Sequence, residues 1–132
     1  MTFENKVVWI TGASSGIGEA LAYIFTRKKA QVIISARREN ELQRVSQSCA
    51  AIYAPCYIVP LDLTETDKAP AIVAAVIAKM GRIDILINNG CISQRSLTKN
   101  TPLALDRKFM EVNYFGTIAL TKALLPHFIK KQ

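Results

Sequence analysis

The sequence predicts an α/β fold in which helices cover both faces of a parallel sheet, and three observations predict it. Four short apolar runs are hydrophobic on both faces and rich in β-branched residues, the pattern of strands buried between two helical layers. Segments with apolar residues at helical spacing separate these runs, so strand and helix alternate along the chain. The first run is closed by a glycine-rich turn that leads directly into a helical pattern.

The elements follow in order. Residues 6–11 (KVVWIT), 31–36 (QVIISA), 56–61 (CYIVPL) and 83–88 (IDILIN) are the predicted strands. Antiparallel hairpins would alternate apolar and polar residues instead. Residues 16–29, 39–49 and 66–80 are the predicted helices between them, the last carrying APAIVAAVIAKM. A final helix over 101–131 begins with Thr101 as a cap before Pro102 in the first turn, and continues with Leu, Phe, Ile and Leu spaced for burial. The right-handed crossover rule arranges the strands 3-2-1-4 and places a ligand at their carboxyl ends, where the order reverses between strands 1 and 4. This is a Rossmann-type doubly wound sheet, expected as a single domain over 1–132.

Composition bounds the function classes. The 132 residues are 50% hydrophobic and 20% charged, with a mean hydropathy of +0.18, enough for one globular core. No apolar stretch approaches the roughly 20 residues of a membrane span. The start MTFENKVVWITG lacks a signal peptide's basic beginning and small-residue cleavage site, so a cytoplasmic location is expected. Cys49, Cys56 and Cys91 form no C-x-x-C pair, and His127 is the only histidine, so neither a disulfide framework nor a clustered zinc site is expected. A net charge of +7 raises the question of nucleic acid. Arg27-Lys28-Lys29 and Lys130-Lys131 fall at predicted helix C-termini, however, where cations suit the dipole, and no nucleic-acid partner is expected.

The chemistry concentrates in Thr11-Gly12-Ala13-Ser14-Ser15-Gly16-Ile17-Gly18, between the first strand and the first helix. Gly12 permits a tight turn, Gly16 a close approach of backbone to a pyrophosphate, and Gly18 close packing of helix on strand, while the helix N-terminus offers free amides and a positive dipole. Ser14, Ser15 and Ile17 complete this candidate dinucleotide cradle. NAD-specific sites place an acidic residue at the end of the second strand, but the segment here reads Ser35-Ala36-Arg37-Arg38. A guanidinium meets a 2′-phosphate with paired hydrogen bonds, and Ser14 can add a hydroxyl, so NADP(H) is expected in preference to NAD(H). The competing reading of Arg37 and Arg38 is a solvated helix start; two arginines at a helix N-terminus oppose the dipole, which favours a bound anion.

Together with TGASSGIG and SARR, residues 61–64 (LDLT), 81–90 (GRIDILINNG) and 112–117 (VNYFGT) resemble the short-chain dehydrogenase/reductases over essentially all of 6–132. NNG followed by Cys91 and ISQRSL, with SARR and LTKALLP, is similar to the branch of dehydrogenase/reductase family member 7, near the 11β-hydroxysteroid dehydrogenases. The resemblance implies hydride transfer between nicotinamide and a carbonyl or alcohol of a lipophilic small molecule, in an enzyme expected to be a homo-oligomer.

It also implies roles for particular residues. Asp62 would accept a hydrogen bond from the adenine amino group, with Leu63 packed beside it; an Asx turn is the competing reading. Asn89 and Gly90, after Asn88, would bring backbone close to the cofactor, although Gly90-Cys91 stands where the family usually has Ala-Gly. Asn113 would hold a water in the catalytic proton relay, against a satisfied structural amide. Asp84 reads as a structural acceptor rather than a base, and His127 as having no catalytic part. The family also uses a Ser and a Tyr-x3-Lys pair. Tyr23, Tyr53, Tyr57 and Tyr114 are followed four residues on by Arg27, Tyr57, Leu61 and Ile118, so only Asn113 matches the catalytic set. The expectation is the cofactor-binding N-terminal part of a longer reductase, inactive alone, or alternatively an NADP(H)-binding or interaction module. Its sheet would be truncated, with strand 4 an exposed apolar edge and the last helix short of neighbours.

Overall fold

The computed structural model describes residues 2–131. Strands β1 (Val7–Thr11), β2 (Gln31–Ser35), β3 (Tyr57–Ile58) and β4 (Ile85–Ile87) run parallel in the order β3-β2-β1-β4, as the crossover rule predicts. Helices α1 (Gly16–Arg27), α2 (Glu39–Ile52) and α3 (Ala69–Met80) are followed by a continuous run of α4 (Leu103–Met110), a π-helical turn (Glu111–Gly116) and α5 (Thr117–Lys130).

Alternation along the strands builds two cores. Val8, Ile10, Val32 and Ile34 face one side, where Ala22 of α1 and Leu42, Val45 and Cys49 of α2 close over them. Val7, Trp9 and Ile33 face the other, against Val73 and Val76 of α3 and Leu120 and Leu124 of α5. Trp9 is fully buried, and its indole N–H donates to the Ser35 hydroxyl at 2.8 Å, so its polar edge is satisfied inside the core.

The boundaries differ from expectation for physical reasons. The third strand shrinks to two residues because Pro60 has no N–H to give; Val59 and Leu61 still donate to Ile34 and Ala36, so 57–61 stays extended alongside β2. β4 is shorter than 83–88 because the Ile83 N–H goes to His127 and the Asn89 N–H to Thr11 and Ile87. Helix α1 stops at Arg27, where Lys29 turns to φ 61° and Ala30 donates back to Phe25. The segment 66–80 begins as a 3-10 turn over Thr66–Lys68. Pro102, not Thr101, is the cap of α4, and the Thr101 hydroxyl donates instead to the Leu97 carbonyl. β4 has β1 as its one partner among the described residues, yet its side chains are half-buried rather than exposed. The last helix does not lack neighbours, since α5 packs Leu120 and Leu124 against α3.

Asp84 ties the far end of α5 to the sheet. Its carboxylate accepts the Val7 N–H at 2.8 Å and the Lys131 ammonium at 2.6 Å, with Arg82 at 3.0 Å. The Ile83 N–H donates to His127 Nε2 at 3.1 Å, which gives both residues structural work. Burial by itself pushes the Asp84 carboxyl up, but Lys131 and the Val7 N–H hold it below its ordinary 3.8. A carboxyl depressed on folding stabilises the fold above its ordinary value and loses that contribution as pH falls below it. Asp84→Ala should therefore cost about 1–3 kcal/mol at neutral pH by leaving the Val7 N–H without its acceptor. Urea unfolding should show the gap to wild type narrowing below pH 3.8; equal midpoints at neutral pH would show that the tie is idle.

Candidate functional site

At the carboxyl ends of β1, β2 and β4 lies a cleft of about 470 Å³, of the size that small-molecule sites occupy. It sits where the strand order reverses, and the loop between β1 and α1 forms its floor. Gly12 adopts φ +62° and Gly16 φ +56°, conformations that disfavour any side chain, so the chain reverses here and enters α1 with its first amides forward. Ser15 caps α1 without a side-chain hydrogen bond, which leaves the first-turn N–H groups available to an anion.

Two buried contacts fix this loop. A Cβ on Gly18 would press into the Gly12 carbonyl and come within 2.7 Å of the Asn89 amide, so only glycine lets α1 start this close to the turn. The Asn89 side chain in turn donates to the Gly12 carbonyl at 3.1 Å. The Thr11 hydroxyl, at the end of β1, accepts the N–H groups of Asn89 at 3.0 Å and Gly90 at 2.8 Å. One buried oxygen thus stitches the ends of β1 and β4 together beneath the cleft.

Most of the residues singled out from sequence converge here. Gly12, Ser14, Ser15, Ile17, Arg37, Arg38, Asp62, Leu63, Asn89 and Gly90 all line the cleft. Gly16 and Gly18 do not: Gly16 is required by its backbone angle and Gly18 by packing. Ile17 is 72% exposed, a large apolar side chain left open at the helix start. Arg37 and Arg38 are exposed at the end of β2 with no carboxylate between them and Ser35. The Asx turn at Asp62 is present, as Oδ1 accepts both the Thr64 hydroxyl at 2.7 Å and the Thr64 N–H at 2.9 Å. These bonds hold the carboxyl below its ordinary value, with Arg37 and Lys108 assisting. Asp62 Oδ2 takes no hydrogen bond among the described residues, so the turn and a ligand role are compatible.

Asn113 lies outside the cleft lining. Its amide makes two 2.8 Å bonds to the N–H and C=O of Ile92, clamping a cleft residue to the π-helical turn. The side chain thus positions the 90–92 backbone, while its second N–H takes no acceptor among the described residues. Sequence reasoning missed several participants. Thr11 had no assigned part, and its signal is a hydroxyl at a strand end just before the turn. Gly116 gave no warning; a Cβ there would fall within 2.7 Å of that of Leu63, so glycine lets the π turn press onto the 61–64 loop. Lys108 of α4 and Val112 of the π-helical turn also reach the cleft, brought there only by the approach of this continuous run.

A sequence profile described as "short chain dehydrogenase" matches residues 6–132. The chain belongs to the short chain dehydrogenase family. Within that family it is 48% identical over 97% of its length to human "Dehydrogenase/reductase SDR family member 7". It is 50% identical over 96% of its length to the Drosophila melanogaster "Dehydrogenase/reductase SDR family protein 7-like". It spans 39% and 40% of the lengths of these two relatives. Among solved structures, a short-chain type dehydrogenase/reductase from Mycobacterium marinum superposes with a TM-score of 0.92 at 25% identity, over 98% of this chain and 53% of that one. A hydroxysteroid dehydrogenase from Escherichia coli gives 0.89 at 26% identity, over 98% and 55%. The doubly wound sheet and its order are therefore those of this dehydrogenase family.

The geometry of the Thr11 hydroxyl yields a test. Thr11→Val keeps the side-chain shape, leaves the Gly90 N–H without its acceptor and the Asn89 N–H with Ile87 alone, so chemical denaturation should show a loss of about 1–3 kcal/mol. An unchanged midpoint would mean that water or another group replaces the hydroxyl without cost.

Proposed function

We propose that this chain forms the NADP(H)-binding part of an oxidoreductase acting on the carbonyl or alcohol group of a lipophilic small molecule. The observation that carries the reading is the pairing of an uncapped helix start at the glycine turn with two exposed arginines at the end of β2, in one cleft. The family implies a nicotinamide cofactor, and the residues present suit one. The first-turn amides of α1 suit the diphosphate, Asp62 Oδ2 suits the adenine amino group, and Leu63 and Ile17 offer apolar contact.

The preference for NADP(H) over NAD(H) rests on charge. An acid at the end of β2 would repel a 2′-phosphate and hold ribose hydroxyls; Arg37 and Arg38 do the opposite. When bound, the cofactor supplies the hydride chemistry. The protein's own contribution is to hold and orient the dinucleotide: Asn113 fixes Ile92, Thr11 fixes Asn89 and Gly90, and Asn89 fixes the turn. No tyrosine among the 132 residues has a lysine four positions on, so we expect this chain by itself to bind cofactor without turnover.

Titration of the intrinsic fluorescence of NADPH and NADH tests the reading. NADPH should bind more tightly than NADH, and Arg37→Met should weaken NADPH about tenfold or more, the scale of one charge-assisted hydrogen bond, with a smaller effect on NADH. Equal losses for both cofactors would overturn the 2′-phosphate assignment, and absence of binding to either would overturn the reading itself.

A further inference from the structure

Arg44 lies outside every motif and outside the cleft, yet it touches the glycine turn. Its guanidinium meets Glu19 of α1 with two bonds, Nη1 to Oε2 at 3.0 Å and Nη2 to Oε1 at 2.9 Å. Nη2 also donates to the Ser14 carbonyl at 3.1 Å, and Nε to Glu41 at 3.1 Å. Every guanidinium nitrogen is engaged, in a planar fork that a lysine cannot copy. The Tyr23 hydroxyl donates to the same Glu19 Oε2 at 2.6 Å.

Resting on the cofactor-binding reading above, we infer that Arg44, held by Glu19, is a positioning residue that aims the backbone of the glycine turn and fixes its separation from Arg37 and Arg38. Two pieces of geometry carry this. The Ser14 carbonyl and the Ser15 N–H belong to one trans peptide, so they point in opposite directions. Anchoring the carbonyl on Arg44 therefore aims the Ser15 N–H, which has no protein acceptor among the described residues, the opposite way. In addition, α1 begins at the glycine turn and Arg38 is the N-cap of α2, so a bridge from Glu19 to Arg44 joins the two helices whose starts flank the cleft.

Electrostatics and exposure agree. The Arg44 hydrogen bonds, with help from Tyr23, hold the Glu19 carboxyl down at about 2, so the pair stays ionised at any working pH. The two side chains are 48% and 21% exposed, and their bidentate fork ties the start of α1 to α2 at a fixed spacing.

The test compares NADPH with 2′-AMP, which carries the adenine and the 2′-phosphate but no diphosphate to meet the glycine turn, in wild type, Glu19→Gln, Arg44→Lys and Arg44→Met. Positioning and simple charge predict opposite signs for Glu19→Gln. Removing a negative charge near an anion site would tighten NADPH, whereas loosening the fork weakens it. We expect Glu19→Gln and Arg44→Lys each to weaken NADPH about tenfold, the double variant Glu19→Gln/Arg44→Met to be no worse than the worse single, and 2′-AMP to stay within about twofold throughout. Unchanged or tighter NADPH binding in Glu19→Gln, or equal losses for NADPH and 2′-AMP, overturns the assignment while leaving cofactor binding intact. Loss of the far-UV circular dichroism signal in all variants would make the pair a fold tie and equally overturn it. A wild type that binds neither ligand removes the cofactor-binding reading and this inference with it.

Discussion

No side chain fits between the first turn of α1 and the loop that precedes it, and the rest of the site follows from that close approach. With only hydrogen on Gly18, the helix start lies against the Gly12 carbonyl, and the Asn89 amide can reach the same oxygen from the end of β4. The loop is thereby pinned between the strand it leaves, the strand beside it and the helix it enters. Such over-determination lets Gly12 and Gly16 hold backbone angles that a free chain would visit only in passing. An anion approaching this point meets amides that are already aimed, so little ordering has to accompany binding.

Support for the cleft radiates outward from this point. Thr11 carries the ends of β1 and β4, Asn113 carries Ile92, and Gly116 lets the π turn lean on the loop that holds Asp62 and Leu63. These contacts involve backbone on at least one side, so they fix where the chain runs rather than which side chain faces the ligand. The charged side chains that line the cleft are Arg37, Arg38, Lys108 and Asp62, set among hydroxyls and apolar surface. On the opposite end of the sheet, Asp84 and His127 perform the same kind of tethering for α5, the acid through the Val7 N–H and Lys131 and the histidine through the Ile83 N–H.

The sheet order and the cleft-lining residues were legible because each rests on a local rule. Buried β-branched runs make β1 and β2, and a glycine turn between strand and helix makes the cradle. Asp84 could be read as structural because a charge inside an apolar strand needs a partner. What the sequence hid depends on contacts between distant segments. Nothing in ISQRSL or EVNYFG announces that the Asn113 amide would bond Ile92, or that Gly116 must lack a Cβ because Leu63 lies beneath it. Arg44 looks like an ordinary exposed helix residue until α1 and α2 are placed side by side. The brevity of β3 was nearly readable, since Pro60 stands in its middle, but only the pairing with β2 shows that the chain stays extended past it.

The claim that orders all of this is that a dinucleotide lies across the turn, the end of β2 and the end of β4. Titrating the isotope-labelled chain with NADPH while following its backbone amide resonances tests that claim residue by residue. The account predicts shifts concentrated at 12–18, at Arg37 and Arg38, at Asp62 and Leu63 and at 89–92, with the amino ends of the strands unmoved. Shifts confined to the hollow around Tyr53, Cys56 and Lys79 at the amino ends of β2 and β3, or no shifts at saturating ligand, would contradict it.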